Sequence, residues 1–552
     1  MKRAAVAGLL ALSLFRAGPL AAQSDPLAPI GRWSAYTRGA AQLPPMGWNS
    51  WNAFALDISE AKLIGSARII VSSGLAAKGY RYIDLDEGWW ARRAADGRMV
   101  IRADKFPSAR LPDGRTSFRP LTDKLHGMGL KAGIYSDIGR NSCGQIHSDD
   151  IPNKPSGTLL EREVGLYGHV DQDIALYFGE WGFDLIKVDG CGIRGLWPES
   201  PKVLSGEFRA LTPLVDSGSL GRTDIAATRA LYDHVRQALE RNNPDNDFIF
   251  SLCLWGAADV RSWARQMAGI SRTSEDIFPI WGRMLHNMDT SIRRPLYAHP
   301  GSWNDPDMLY IGTGDFDAKH LTEARSHFSL WAMLNAPLMI GYDLRSADPA
   351  LMEILGKREV IALNQDPAGN QAVLAYDSDD VSILVKALAN GDKAIAVLNR
   401  TSDPVTASLT AGHLKFASDA DVSLTDLWSG THATLRDRRD FAVPRYRQAR
   451  SARWPLPLGN AGQREPRGRR SRRSRGRPAR APRHPALGGH AHLARAAALR
   501  RLGWRTGRQH SLFGADRHCR EALRYRHRHP CQFPDRSAQQ GLFPFQCAGR
   551  RR

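Results

Sequence analysis

Residues 183–191 read Phe183-Asp184-Leu185-Ile186-Lys187-Val188-Asp189-Gly190-Cys191. This is an apolar run of strand length that stops at a carboxylate and a glycine. Lys187 and Asp189 stand two residues apart, so both project from one side of the strand. Working outward in both directions, the same texture recurs. β-like runs at Met46–Trp51, Tyr82–Asp86, Leu130–Ser136, Asp184–Asp189, Phe248–Leu252, Gly269–Arg272, Ser302–Asn304 and Pro337–Gly341 alternate with amphipathic stretches at Ser59–Ser73, Phe118–Met128, Val170–Trp181, Ala226–Arg241, Ala257–Met267 and Leu321–Leu334. In the fourth of these, Ala227, Leu231, Val235, Ala238 and Leu239 fall at helical spacing and give an apolar face. Eight strand–helix alternations predict an α/β fold, a (β/α)8 TIM barrel, with a doubly wound sheet as the alternative. The strand ends favour the barrel: Asp86 and Glu87, Tyr135 and Asp137, Lys187 and Asp189, and Asp305 and Asp307 all fall at C-terminal ends, which a barrel gathers at one mouth.

Beyond Ala372 the runs Val381–Val385, Lys393–Leu398 and Val405–Leu409 are separated by turns such as Asn390-Gly391-Asp392, and predict a small antiparallel β-sandwich domain ending near Val443. The texture then breaks. Residues 445–552 hold 28 Arg, no Lys and four acids, a net +24, so of the chain's formal +20 the first 444 residues carry −4. A basic tail of this kind is either a disordered arm for an anionic surface or, as Arg, Pro, Ala and Gly dominate without Lys, the product of a GC-rich coding sequence read out of frame from about Pro444–Arg447. At the other end, Lys2 and Arg3, the apolar Ala4–Phe15 and the small residues around Ala21 and Ala22 have the layout of a secretory signal, which predicts a secreted or periplasmic protein. The expected organisation is therefore a signal peptide at 1–23, a linker at 24–42, the barrel at 43–368, the β-domain at 369–444 and an Arg/Pro-rich tail at 445–552. No segment is long and apolar enough to predict a membrane span, and the sequence sets no oligomeric state.

Asp189, at the mouth of a barrel and beside Lys187, which would keep it ionised, has the setting of a nucleophilic carboxylate; the bland alternative is a residue capping the next loop. In Ser271-Arg272-Thr273-Ser274-Glu275-Asp276-Ile277, Asp276 or Glu275 could supply a second carboxyl group, or the cluster could be a helix N-terminus. A pair of carboxyl groups about 5–5.5 Å apart is what retaining glycoside hydrolysis requires. Trp48, Trp51, Trp89, Trp90 and Tyr135 lie close to strand ends, where rings can stack on sugar C–H faces or pack the barrel. The six cysteines form no CxxC, and no histidine pairing, phosphate loop or Gly-x-Ser-x-Gly elbow occurs, so neither a metal nor a cofactor is expected.

Six ordered motifs resemble glycoside hydrolase family 27: Pro45-Met-Gly-Trp-Asn-Ser-Trp51, Tyr82-Ile-Asp-Leu-Asp-Glu-Gly-Trp89, Gly133-Ile-Tyr-Ser-Asp-Ile-Gly139, Ile186-Lys-Val-Asp-Gly-Cys191, Trp303-Asn-Asp-Pro-Asp-Met-Leu309 and Ala362-Leu-Asn-Gln-Asp-Pro-Ala-Gly369. The resemblance covers about Leu43 to Val443. It implies a barrel followed by a β-domain and an exo-glycosidase that removes terminal α-D-galactosyl residues from oligosaccharides or polysaccharides by double displacement, with β-L-arabinopyranosidase and α-N-acetylgalactosaminidase as the family's other activities. It assigns Asp189 as nucleophile and Asp276, rather than Glu275, as acid/base. Trp51, Asp86, Glu87, Tyr135, Lys187, Arg272 and Asp307 would line the sugar site, Cys143 and Cys191 would form a disulfide, and Cys253 would be a free buried thiol. Two positions depart from the pattern. Glu87 stands where α-galactosidases of that family carry a second Asp, and its extra methylene would crowd the galactose hydroxymethyl group. Leu254 stands where relatives carry Glu near the sugar's 2-position, and cannot accept from a hydroxyl. An inactive sugar-binding relative would lack one of the two Asp, and both are present; a nucleic-acid-binding protein would have to work through the tail alone, and none is expected.

Overall fold

The computed structural model describes residues 41–147, 152–401, 403–416, 421–443 and 449–453. The signal segment read at 1–23 and the tail read from 445 on, apart from 449–453, lie outside these. The chain divides after Gly462, and everything described belongs to the first unit.

Eight parallel strands form one sheet: β1 Met46–Asn49, β2 Tyr82–Leu85, β3 Lys131–Asp137, β4 Leu185–Asp189, β5 Ile249–Cys253, β6 Ile270–Arg272, β7 Trp303–Asp305 and β8 Leu338–Ile340. β8 pairs with β1, and each strand from β1 to β6 pairs with its successor. The sheet curls until Leu309, just past β7, bridges Ile340 of β8, donating to Met339 O at 2.8 Å and accepting from Gly341 N at 3.0 Å. The fold is thus a (β/α)8 barrel, and all eight runs read from the sequence are its strands. Their register aligns the ends that matter: Tyr135 pairs with Lys187, Asp137 with Asp189, and Asp189 with Cys253.

The helices follow their local signals. α1 (Glu60–Ser72) starts where Ser59 accepts from Lys62 N, and α4 (Ile225–Asn242) where Asp224 accepts from Ala227 N at 2.9 Å. α4 buries Thr228, Tyr232, Val235, Ala238 and Leu239, a face turned slightly from the one spaced out in the sequence. Tyr232 decides the turn, because its ring packs on Phe250 and Trp263 and removes more apolar area from water than Ala227 could. α6 (Trp281–Ile292), which follows β6, has no counterpart in the sequence reading. α2 is Arg119–Gly127, α3 Val170–Ile174, α5 Val260–Trp263 and α7 Leu321–Leu334. Among the described residues no helix is long and apolar enough to cross a membrane.

The C-terminal strands are β9 Val373–Asp377, β10 Val381–Ala387, β11 Lys393–Asn399, β12 Val405–Thr410, β13 Val422–Asp426, β14 His432–Leu435, β15 Arg438–Val443 and β16 Ala449–Arg453. Six form an antiparallel sheet in the order β9-β10-β11-β16-β13-β14, and β12 pairs with β15 to make a second layer. The sheet runs beyond residue 444, because β16 is inserted between β11 and β13. β10 and β11 are buried along their whole length. Val381, Ile383, Val385, Ile395 and Val397 fill the sandwich. Leu384, Ala394, Ala396 and Leu398, on the opposite face, join the barrel core. Lys386 shares that second face and donates to Ala332 O at 3.2 Å and to the Asn335 side chain, capping the C-terminal end of α7.

Candidate active site

A cavity of about 740 Å³ opens at the C-terminal end of the barrel strands. Of the residues singled out from the sequence, Trp51, Asp86, Glu87, Lys187, Asp189 and Asp276 line it, together with the Cys143–Cys191 pair. Tyr135, Arg272 and Asp307 stand one layer behind, each with almost no exposed surface. The disulfide expected between Cys143 and Cys191 is formed, and Cys253 is a free buried thiol.

At the cavity floor Lys187 Nζ donates to Asp86 Oδ2 at 2.9 Å, and Asn49 Nδ2 donates to the same oxygen at 2.9 Å. The lysine thus spends its hydrogen bond on Asp86 and acts on Asp189 through space. Burial pushes the pKa of Asp189 up, Lys187 opposes it, and the net direction is upward. Lys187 thus favours the ionised form of Asp189, as expected from the sequence, but desolvation at the strand end is the larger effect. Beside β4, Asp137 holds the chain that follows Asp189 by accepting from the backbone N–H groups of Gly139, Cys191 and Gly192 at 2.7–3.0 Å. A Cβ on Gly192 would lie 2.6 Å from Asp137 Oδ1 and 2.7 Å from Gly139 Cα, so only glycine lets these two strand ends approach.

Asp276 lies across the cavity with its side chain 53% exposed. Its Oδ1 accepts from Arg272 Nη2 at 2.9 Å and from Trp255 Nε1 at 3.1 Å. Enclosure pushes its pKa up, but Arg272, Lys187 and Trp255 outweigh this and hold it below the ordinary carboxylate value. Arg272 also pairs with Asp307 at 3.0 Å, and Asp307 accepts from Ile277 N at 2.8 Å. The backbone of Asp307 sits at φ 84°, a left-handed conformation that costs a non-glycine residue and is held here by those contacts. Glu275, the rival carboxylate, bonds His286 and lies at the outer wall.

Glu87 is buried, and both its oxygens accept from Gly144 N, at 2.9 and 3.0 Å. Burial raises its pKa to about 8, the Asp86 and Asp189 charges adding to the rise. The Glu87 carboxylate thus reaches the Cys143 turn, while the residue still lines the cavity. Leu254 does not line the cavity; it is fully buried, packed beneath Gly190. Of the five aromatic residues singled out from the sequence, Trp51 alone lines the cavity. Trp48 donates to Tyr342 O at 2.8 Å, while Trp89 and Trp90 pack edge to face within a buried cluster that includes Phe118, Tyr177 and Trp181.

The sequence reading missed the outer wall, to which Arg194, Trp197, Val215, Ser217 and Trp255 contribute. Trp255 adjoins Leu254 and Arg194 follows the Cys191 motif, so proximity was their only signal. Among the described residues, the one cluster of possible metal-ligating atoms is Asp137, Cys143 and Cys191, and its two sulfurs are bonded to each other.

Two carboxylates facing one sugar-sized cavity at the mouth of a (β/α)8 barrel, with a lysine–aspartate pair on the floor, define an O-glycosyl hydrolase. A family model described as alpha galactosidase A matches residues 43–206 and 225–366, and one described as the alpha galactosidase C-terminal beta sandwich domain matches 378–445. The chain belongs to glycoside hydrolase family 27, the α-galactosidase family. It is 34% identical to the α-galactosidase of Cyamopsis tetragonoloba over 398 residues, 72% of this chain and 82% of that protein. It is 35% identical to Arabidopsis thaliana α-galactosidase 2 over 397 residues, 72% of this chain and 85% of that one. The fold is shared with α-galactosidase I from Mortierella vinacea at a TM-score of 0.61 and 24% identity, covering 76% of this chain and 98% of that structure.

Proposed function

We propose that this protein is a retaining exo-α-galactosidase in which Asp189 attacks the anomeric carbon and Asp276 serves as acid and then base. The observation that carries the assignment is the placement of these two carboxylates: Asp189 at the end of rigid β4 and Asp276 on the loop after β6, both lining the same cavity. In the first step Asp276 protonates the leaving oxygen while Asp189 forms a glycosyl ester. In the second, Asp276 takes a proton from water, which displaces Asp189 and restores the anomeric configuration. The Asp86–Lys187 pair supplies an acceptor and donors for the sugar's hydroxyl groups, and Trp51 supplies an apolar face. Arg272, braced by Asp307, fixes the carboxylate plane of Asp276. The substrate is a galactose-terminated oligosaccharide or polysaccharide. Glu87's engagement with Gly144 supports galactose over a sugar lacking the hydroxymethyl group.

The test is a panel of nitrophenyl α-D-galactoside, β-L-arabinopyranoside and α-N-acetyl-D-galactosaminide, with Asp189→Asn as control. Cleavage of the first that vanishes in the control is expected; preference for either other sugar would overturn the reading. Export is also part of the proposal, supported by the signal-like residues 1–23 and by the disulfide, a bond typical of oxidising compartments. N-terminal sequencing of the protein recovered outside the cytoplasm is expected to begin near Ser24, and intact Met1 would refute it.

A further inference from the structure

The family match stops at residue 206 and resumes at 225, and the intervening segment builds part of the cavity. It folds back on the turn that follows the nucleophile: Leu214 N donates to Ile193 O at 2.9 Å, Leu211 N to Leu196 O at 2.8 Å, and Asp224 N to Leu214 O at 2.8 Å. Val215 is buried beneath it. The segment therefore fixes the conformation of the turn that carries Arg194.

Arg194 faces the cavity with its guanidinium 4.6 Å from the centre of the Trp255 ring, and donates to Ser217 Oγ of the inserted segment. Trp255 is the residue that bonds Asp276, so Arg194 lies next to the group that protonates the leaving oxygen. The other outer-wall carboxylates are engaged elsewhere: Asp216 pairs with Arg222 at 2.6 Å, and Glu275 with His286 at 3.1 Å. Among the described residues Arg194 forms no salt bridge, although it is held in place by a ring and a hydroxyl. A half-buried guanidinium that is pre-positioned but unpaired is a site for an oxyanion, because its remaining N–H donors are set in a planar fork.

We propose that Arg194, held by Ser217 and Trp255, forms a leaving-group subsite selective for a carboxylate-bearing sugar, so that the preferred substrates carry galactose α-linked to a uronic acid. This rests on the α-galactosidase reading and names its substrate class. The experiment compares kcat/KM for α-D-galactosyl glucuronate with that for α-D-galactosyl glucose, in wild type and in Arg194→Gln. The uronate is expected to be favoured by about tenfold at low salt, the advantage shrinking as salt is raised and collapsing in the variant. Equal rates, or a preference that survives Arg194→Gln, would overturn the proposal. Titration calorimetry of free glucuronate and glucose onto the wild-type protein gives an answer even if the variant fails to fold: saturable uronate binding over weaker glucose binding is expected, and equal binding would overturn it. Nitrophenyl α-D-galactoside separates the two failures. Without its cleavage the α-galactosidase reading falls, whereas its cleavage with no uronate preference defeats the subsite alone.

Discussion

The two carboxylates proposed for catalysis are tuned in opposite directions, Asp189 upward by burial and Asp276 downward by its cationic and hydrogen-bonding neighbours. The proposed mechanism needs Asp189 ionised and Asp276 protonated, and because these shifts put Asp189 above Asp276 that form is a minority species, gained as pH rises past Asp276 and lost as it rises past Asp189. The kcat/KM profile is expected to be a bell on the acid side of neutrality. Trp255→Phe removes one hydrogen bond that favours the ionised form of Asp276. Its acid limb is expected to move to higher pH, and an unmoved limb would mean that Asp276 is not the acid. Asp189→Asn should lower kcat by more than about 10³-fold without lowering the melting temperature, because it replaces a buried carboxylate with a neutral group. Asp189 was legible because it ends an apolar strand. The choice between Glu275 and Asp276 was not legible in their local signals, which adjacent residues share; the family resemblance made it for Asp276, the residue that Arg272 and Trp255 contact.

At the scale of elements, the antiparallel hairpin of Trp90–Arg93 and Met99–Ile101 and helix α3 are locked by one buried ion pair. Arg93 and Asp173 meet in a fork, Nη1 to Oδ1 at 2.9 Å and Nη2 to Oδ2 at 2.8 Å, and Arg93 also donates to the carbonyls of Gly97, Glu163 and Gly165. With both charges out of water, Asp173→Ala strands a guanidinium and is expected to destabilise the protein by about 3–5 kcal/mol, measured by denaturant melting; a loss below about 1 kcal/mol would place the pair in the class of surface bridges. Nothing in the sequence links positions 80 apart. Trp89 and Trp90 illustrate the same gap, since two rings after a strand serve equally to stack on a sugar or to pack, and the neighbouring helices decide for packing. The β-domain was read to Val443 because the texture changes there, but β16 lies in the middle of its sheet, where backbone pairing alone defines the strand. Ending the chain after Val443 would expose the facing edges of β11 and β13, and is expected to give an aggregating product. A chain ending at Gly462 should remain monomeric and melt cooperatively in light scattering and calorimetry, and equal behaviour of the two would count against β16.

Across the whole molecule, buried carboxyl groups dominate the response to pH. Asp84 is raised to about 7 and Asp305 to about 6, in both cases chiefly by burial, and Glu87 to about 8. A carboxyl group whose folded pKa is raised holds its proton more tightly than the unfolded chain does. Its contribution to stability is therefore full below the unfolded value and is lost as pH rises through the folded value. The melting temperature is expected to fall between about pH 4 and pH 8, and Glu87→Gln should flatten the upper part of that slope. A melting temperature that rises over this range would refute the assignment.

The sequence by itself determined the barrel, the order of its strands and the positions of Asp189, Asp86 and Lys187, because each depends on residues close together along one strand. It also determined the family, because six motifs occur in one order. The tertiary structure decided what depends on the meeting of distant segments: closure through Leu309, the burial that raises Glu87 and Asp189, the braces on Asp276, and the outer wall built by Arg194 and the inserted segment. Local sequence specifies backbone form and side-chain chemistry, whereas desolvation and charge pairing are properties of the space that several elements enclose together.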